Sequence, residues 1–468
     1  MGWLSRWVDL KCLCTVFCLW ALISSVISGK AASRGSLQWH AETRQLEVRL
    51  ERAPLNQVLA DIGALTGIDV LVEPGMSERV STSFSGLSLS QGLRRILGGT
   101  SFALIGGEDG RKKLYVYRRS MGAATQSLTA KAQEPTSKSR RIGNELIVTL
   151  DPNSPETIEE IAERLGAEVV GKIEGENAYR LRFKDDSSAE AARESLASLD
   201  HVRVDDNFEI DIPTRLSSLN FGGSAPPRVR INPDAGDGQV VVGLIDTPIQ
   251  ADGVSNPDFL LPTVSVAGEG VPEFSEPTHS TTMAETMLRG LEMVEDGGQG
   301  SNVRILPVDV YGPEETTSTF QVAAGVMAAI DSGASIINLS LGGQETTPFL
   351  ERLISDAHQQ GVIFVGAAGN EPGTHNIFPA AYPEVVAVTS ADRFGGVAPY
   401  ANNGDFVDVM VPGHSYVTYH GETYLINGTS ASAAYVSGIT AGVAAASGLP
   451  PAQVEAQVRQ TLPKPPGN

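Results

Sequence analysis

Apolar runs that alternate with segments of helical periodicity dominate the second half of this 468-residue chain. The runs read QVVVGLID, NVRILPVDVY, ASIINLSLG, GVIFVGAAGN and EVVAVTS, and segments such as STFQVAAGVMAAIDSG and TPFLERLISDAHQQG lie between them. Strands that are apolar on both faces are typical of parallel sheets covered by helices. The alternation therefore predicts an α/β domain, with a parallel sheet flanked by helices, over residues 217–468.

Two smaller units with a common plan precede this domain. Residues 36–119 and 141–212 each show the order β-α-β-β-α-β, which predicts two small α+β domains. In the second unit, SPETIEEIAERLG is a predicted helix with Ser154 as its cap and Pro155 as its first helical residue. Residues 120–140 are small and polar without periodicity, and they predict a flexible linker.

The first 32 residues have the order of a secretory signal peptide. Arg6 and Lys11 precede an apolar run over residues 12–27, and the small residues of SGKAAS follow. The run is short for a membrane-spanning helix, although an uncleaved anchor is the alternative. After cleavage the mature chain would have no disulfide, thiol chemistry or cysteine-ligated metal, because the run contains all three cysteines: Cys12, Cys14 and Cys18.

Charge excludes nucleic acid as a partner. The chain has a net charge of −20, and residues 221–468 hold 26 acidic and 8 basic residues, a difference of −18. A face that neutralises phosphates needs clustered lysine and arginine, which this acidic half lacks. The acidity is consistent with solubility and with an exported location.

Four polar residues at the ends of predicted elements could carry chemistry. Asp246 ends an apolar strand, and His279 begins a helical pattern. Asn370 follows another strand, and Ser430 precedes the small residues of NGTSASAAYVSG. Each also has an ordinary structural reading, as a strand-end turn, a structural histidine, a turn asparagine or a helix cap at Thr429 or Ser430.

The same four segments resemble the motifs of one enzyme family. LIDTPI, HSTTMA, AAGN and NGTSAS resemble the aspartate, histidine, asparagine and serine motifs of subtilases, in the order Asp, His, Ser. The resemblance implies a serine endopeptidase in which Asp246, His279 and Ser430 form the catalytic triad and Asn370 contributes to the oxyanion hole. Its implied partners are protein or peptide substrates, cleaved through an acyl-enzyme intermediate.

The family resemblance also implies a pocket for the residue before the cut. Its floor is expected near Ile377, and its walls are expected at Ser340, Leu341, Gly342, Ala367, Ala368 and Gly369. The INLSLGG segment resembles the strand that pairs with substrate backbone. No cofactor is required by this chemistry. Subtilases often bind calcium, but no loop of this sequence has a ligand spacing that locates a calcium site.

The chain departs from the subtilase pattern at several positions. Thr-Pro follows Asp246 where Thr-Gly or Ser-Gly is usual, and serine replaces glycine after His279. Glu285 stands where glycine is common, and Ala434 stands where proline is usual. None of these changes removes a reacting group, so they bear on efficiency and cleft shape.

The smaller units carry resemblances of their own. Residues 36–119 resemble the short N-terminal domain of secretins and TonB-dependent receptors, which implies a periplasmic location and a protein partner. Residues 141–216 resemble the ferredoxin-like propeptide of subtilases, which chaperones and then inhibits its own protease. Autoprocessing is expected between Ile212 and Leu219, with Leu216 as the residue before the cut.

Two rival functions stay open at this point. The first is a catalytically decayed periplasmic interaction protein, which the first domain favours and the complete triad opposes. The second is an acyl hydrolase acting on non-peptide substrates, which the propeptide and the SLGG segment oppose.

Overall fold

The structure is a computed structural model that describes residues 26–29, 35–40, 45–66, 68–74, 76, 78–106, 112–118, 121, 124–128, 140–212, 217–218, 225–232, 238–268, 276–295, 300–392 and 395–466. The chain divides into two compact units, Met1–Glu134 and Pro135–Asn468. The predicted signal peptide lies outside the described residues except at its end, as do the three cysteines. In the part of the chain that is described, no helix has the length and apolar character needed to cross a membrane.

The first unit is an α+β fold with one apolar core. Its elements are β1 (Val26–Gly29), β2 (Gly35–His40), β3 (Gln45–Pro54), α1 (Leu55–Thr66), β4 (Asp69–Val72), β5 (Arg79–Ser88), α2 (Leu89–Leu97), β6 (Ser101–Gly106), β7 (Lys112–Tyr117) and β8 (Gln126–Leu128). They form sheets of order β1-β2-β3-β5 and β6-β7-β4-β8. The predicted helices are present as α1 and α2. The segment predicted as a linker, residues 120–140, instead contains β8, which pairs with β4.

The second unit begins with an antiparallel sheet and two helices. Its elements are β9 (Arg141–Leu150), α3 (Ile158–Leu165), β10 (Glu168–Ile173), β11 (Ala178–Arg182), α4 (Asp186–Leu196) and β12 (Val202–Asp211). The sheet order β10-β11-β9-β12 is that of a ferredoxin-like fold. Along β9, Leu146 and Val148 join the core under α3 and α4, whereas Ile147 faces the rest of the unit. Since successive side chains of a strand point to opposite faces, this sheet is covered on both sides.

The cap of α3 differs from the prediction. Thr157, not Ser154, is the N-cap: its hydroxyl accepts the Glu160 N–H, and the Glu160 carboxylate accepts the Thr157 N–H. This reciprocal capping box satisfies two donors, which a serine three residues earlier cannot do. Ser154 instead forms a turn with Glu156, whose N–H its hydroxyl accepts.

The α/β core of the second unit confirms the predicted fold class. The further elements are β13 (Ser217–Ser218), β14 (Val240–Asp246), β15 (Val264–Ser265), α5 (His279–Glu292), β16 (Val303–Asp309), β17 (Thr316–Ser318), α6 (Thr319–Asp331), β18 (Ile336–Leu339), α7 (Pro348–Gln359), β19 (Ile363–Ala367), β20 (Val385–Ala391), β21 (Val409–Pro412), β22 (His414–Tyr419), β23 (Glu422–Asn427), α8 (Thr429–Ser447) and α9 (Pro451–Thr461). The parallel sheet has the order β15-β16-β14-β18-β19-β20-β21. Apolar side chains of α6 and α7 pack with one side of this sheet, and those of α5 and α8 with the other.

Candidate active site

Three neighbouring strands of the parallel sheet present polar groups at their carboxyl ends. Asp246 ends β14, Ser340 directly follows β18, and Asn370 lies three residues beyond β19. The register pairs Ile245 with Leu339, so β14 and β18 end at the same level. Because neighbouring strands are about 4.8 Å apart, these groups lie side by side at the edge where open α/β sheets place their active residues.

Asp246 and His279 form a buried pair. The Nδ1 atom of His279 lies 2.8 Å from each carboxylate oxygen of Asp246, and the two residues are 8% and 1% exposed. The carboxylate also accepts the N–H of Thr247 at 2.7 Å, and the Thr247 hydroxyl accepts the N–H of Ser280. These bonds fix the carboxylate and the first turn of α5, so Nδ1–H donates to Asp246 and Nε2 is left as the basic nitrogen.

Ser430 lies in the first turn of α8, as the nucleophile hypothesis requires. Its hydroxyl donates to the Ser340 carbonyl oxygen at 3.0 Å, and its own carbonyl accepts the Ser340 hydroxyl. The capping alternative is wrong, because the N-cap is Gly428 and neither Thr429 nor Ser430 caps the helix. Ser430 is therefore held over the end of β18, next to the strand that ends in Asp246.

The small residues of α8 allow it to touch the backbone of α5. A Cβ on Gly438 would lie 1.9 Å from the Met287 carbonyl oxygen, and a Cβ on Gly290 would lie 2.1 Å from the Tyr435 carbonyl oxygen. No side chain fits at either position without moving a helix. The helix that starts with His279 and the helix that carries Ser430 are thus in direct backbone contact.

Asn370 is oriented by the turn that precedes Ser430. Its Oδ1 atom accepts the Thr429 N–H at 2.8 Å and the Thr429 hydroxyl at 3.1 Å. With the oxygen engaged by two donors, the amide group of Asn370 is directed away from Thr429. The Ser430 N–H has no acceptor within the part of the chain that the structure describes. An amide and a backbone N–H near one serine are the donors of an oxyanion hole.

A cavity of about 270 Å³ opens beside Ser430. Ile377 lies between its two walls, because Gly342 and Gly369 each have an Ile377 atom 2.9 Å from where a Cβ would be. Of the predicted wall residues, Ala368 does not line the cavity: it is fully buried, and its carbonyl accepts the Asn402 amide. The predicted residues that do line it are Ser340, Leu341, Gly342, Ala367, Gly369 and Ile377.

Residues of the propeptide-like sheet line the same cavity. Ile210, Asp211 and Ile212 reach it from β12 and the residue after it, and Arg140 lies beside them. In this region β12 pairs with β17 and is also joined to the N-terminus of α6. The buried Asn207 accepts the Phe320 N–H at 3.1 Å and the Thr319 hydroxyl at 3.0 Å through Oδ1.

Comparison with known proteins identifies two family matches in this chain. Residues 237–466 match the subtilase family, and residues 127–204 match the fervidolysin N-terminal prodomain. Subtilisin DY of Bacillus licheniformis is 31% identical over 210 residues, which cover 43% of this chain and 75% of that protein. The chain belongs to the subtilase family. The second match supports a prodomain ahead of the subtilase domain, whereas the secretin-like reading of residues 36–119 stays a prediction.

Matches to other relatives cover a smaller share of the relative's own length. The thermophilic serine proteinase of Bacillus sp. (strain AK1) is 34% identical over 169 residues, which cover 36% of this subtilase and 42% of that protein. This subtilase thus spans less than two thirds of that relative. The solved structure of the epidermin leader peptide processing serine protease of Staphylococcus aureus matches with a TM-score of 0.50 and 15% identity, over 68% of this chain and 93% of that chain. At this identity the likeness shows a shared fold.

Glu285, which departs from the usual subtilase glycine, is a buried tether on α5. It is 3% exposed, and its carboxylate accepts the Ser255 N–H at 3.0 Å and the Ser255 hydroxyl at 2.8 Å. Arg289, one turn further on, donates to the Tyr416 carbonyl at 2.8 Å. The unusual carboxylate therefore holds the loop that follows Asp246 against the helix of His279.

Among the described residues, no group of three or more His, Cys, Asp and Glu could hold a metal ion.

Proposed function

We propose that this chain is an exported subtilisin-like serine endopeptidase that cuts itself from its own propeptide. The observation that carries the proposal is that the Asp246–His279 pair lies at the end of β14, while Ser430 and Asn370 line one cavity at the ends of the neighbouring strands β18 and β19. The reaction uses only groups of the chain itself and needs no cofactor.

The chemistry follows from the buried pair and the helix start. His279 Nε2 takes the proton of the Ser430 hydroxyl as Oγ attacks the scissile carbonyl, and the tetrahedral intermediate collapses to an acyl-enzyme as the leaving amine takes that proton. Asp246 holds the required tautomer and stabilises the imidazolium. The Asn370 amide and the Ser430 N–H stabilise the oxyanion, and removal of one such donor typically costs about 100- to 1,000-fold in rate.

Substrate preference follows from the cavity. Leu341, Ala367 and Ile377 give it an apolar lining, so an apolar side chain before the cut gains about 1.5–3 kcal/mol on burial. A peptide library cleaved by the processed protein measures this preference. Strong selection for lysine or arginine at that position would contradict it.

Export and self-processing rest on the order of segments. A signal-type sequence at residues 1–32 precedes the first domain. That domain would meet a protein partner in the periplasm. The structure describes Ile212 and Ser217 on either side of the predicted cut after Leu216, and that cut lies outside the described residues. We expect cleavage within residues 213–220 and a mature fragment of about 27 kDa, at ~110 Da for each of ~250 residues.

The test compares three full-length chains: wild type, Ser430→Ala and Ser432→Ala. Ser432 is a matched control, because it is a buried serine of the same helix whose hydroxyl lies against Ser390. Wild type and the control should convert to the mature fragment and hydrolyse casein, whereas Ser430→Ala should stay one precursor band. Processing or casein hydrolysis that persists in Ser430→Ala would refute the proposal.

A further inference from the structure

The end of β12 occupies the cleft as a substrate strand would. Ile210, Asp211 and Ile212 line the cavity that Ser430 and Asn370 also line. The strand pairs antiparallel with β17, matching Ile210 with Thr317 and Asp211 with Thr316, and the Ile212 N–H donates to the Glu315 carbonyl at 3.2 Å. Addition of an extended peptide to a strand edge relies on main-chain bonds that any sequence can make.

After Ile212, the chain is next described at Ser217–Ser218, which pair with Leu425 and Tyr424 of β23. That strand leads directly into Gly428 and the first turn of α8. The described residues on either side of the predicted cut, Ile212 at the cavity and Ser217 on β23, therefore both lie beside elements that border Ser430.

Tyr311 makes one contact to this strand that the proposed mechanism does not use. It follows β16 by two residues and is 2% exposed, and its N–H donates to Asp309 Oδ1 at 3.0 Å. Its hydroxyl donates to the main-chain carbonyl of Asp211 at 3.2 Å. The exposed side chain of Asp211 takes no part in this hydrogen bond, so the bond depends on register rather than on residue type.

The hydroxyl stays a donor over the working range of a serine protease. Burial, with the charges of Asp246 and Asp211, raises the pKa of Tyr311 well above its ordinary value. The phenol therefore keeps its proton beyond the alkaline pH at which an ordinary tyrosine ionises. A phenylalanine would fill the same space without offering a donor.

We propose that Tyr311 is a substrate-binding residue whose hydroxyl donates to the main-chain carbonyl of the substrate residue that takes the place of Asp211. The inference rests on the proposed peptidase function and adds to it a preference for substrates long enough to reach this position. The same bond helps the propeptide to occupy the cleft before cleavage.

The test uses processed enzyme and two peptides taken from the chain itself. The long peptide has the sequence of residues 207–218, and the truncated peptide starts at residue 212 and lacks the carbonyl of residue 211. Tyr311→Phe should lower kcat/KM for the long peptide by roughly three- to tenfold, mainly through KM, and should leave the truncated peptide unchanged. Tyr382→Phe is the matched control, because this buried phenol of the same core bonds to Thr346 instead; it should not change the ratio.

A modified substrate provides a second measurement that does not depend on how well the variant folds. A thioamide at residue 211 of the long peptide weakens the acceptor and should reduce kcat/KM with wild-type enzyme but not with Tyr311→Phe. An equal effect of Tyr311→Phe on both peptides, or none on either, would overturn the Tyr311 proposal and leave the peptidase proposal standing. Absence of any Ser430-dependent hydrolysis by wild type would instead refute the proposed function, and this inference with it.

Discussion

Gly438→Ala should separate the two helices that carry His279 and Ser430. The added methyl would lie 1.9 Å from the Met287 carbonyl oxygen and 2.9 Å from the Leu291 nitrogen, so α8 must move about 1 Å. Overpacking of this kind costs about 1–3 kcal/mol, and backbone neighbours cannot turn aside as side chains do. Helix propensity returns about 1 kcal/mol, so we expect a net loss of up to about 2 kcal/mol. A shift of about 1 Å between reacting groups is also enough to cost about 100-fold in kcat.

Gly442→Ala on the same helix is the matched control. Its methyl would come no closer than 2.9 Å, to the Cβ of Val294, so the helix must give by a few tenths of an ångström rather than by about 1 Å. Urea unfolding should be measured on both variants in a Ser430→Ala background, where no self-cleavage interferes, and kcat on the processed active forms. The close-contact explanation is wrong if Gly438→Ala is as stable and as active as Gly442→Ala.

Three further outcomes are expected. Glu285→Gly should lower the free energy of unfolding by about 1–3 kcal/mol, because the Ser255 N–H and hydroxyl lose their charged acceptor; unchanged urea unfolding would contradict this. Asn207→Ala in added propeptide should weaken its inhibition of the mature enzyme by about tenfold, because the bonds from Asn207 to Thr319 and Phe320 are lost. Arg203→Ala, at an exposed residue of the same strand, is the control, and an unchanged inhibition constant for Asn207→Ala would count against this reasoning. Because the pKa of Tyr311 is raised in the folded chain, its contribution to stability is complete below about pH 10 and is lost above it; pH-dependent unfolding of the Ser430→Ala precursor should therefore decline less steeply in Tyr311→Phe.

The parallel sheet could be predicted, and the candidate triad residues could be located, because their signals are local. Each buried strand is a continuous apolar run; Asp246 ends one of these runs, and Asn370 lies three residues beyond another. The N-cap of α3 was equally local but was assigned to the wrong residue, since the glutamate three residues after Thr157 marks the capping box. The β22–β23 hairpin was overlooked although His420 and Gly421, both with positive φ, form a two-residue turn between alternating strands.

Contacts between distant segments had no such signal. β8 has three residues, too few for periodicity, and its place is set by pairing with β4. Tyr311 reads as the ordinary end of an apolar strand, because its acceptor lies 100 residues earlier in the chain. Ala368 follows the wall pattern in sequence, yet the Asn402 bond turns its carbonyl into the interior.

The contacts that hold β12 fall into two kinds with different consequences. Beside Ser430 they involve main-chain atoms of the strand, through β17, the Glu315 carbonyl and the Tyr311 hydroxyl, and any extended peptide can make them. Before the cleft they involve side chains of the propeptide, such as Asn207 at the start of α6 and the buried Asp205 facing Arg352 at 3.2 Å. A substrate shares only the first kind. Under the proposed function, selective binding of the propeptide would therefore come from the side chains outside the cleft, whereas the main-chain bonds inside it would be available to propeptide and substrate alike.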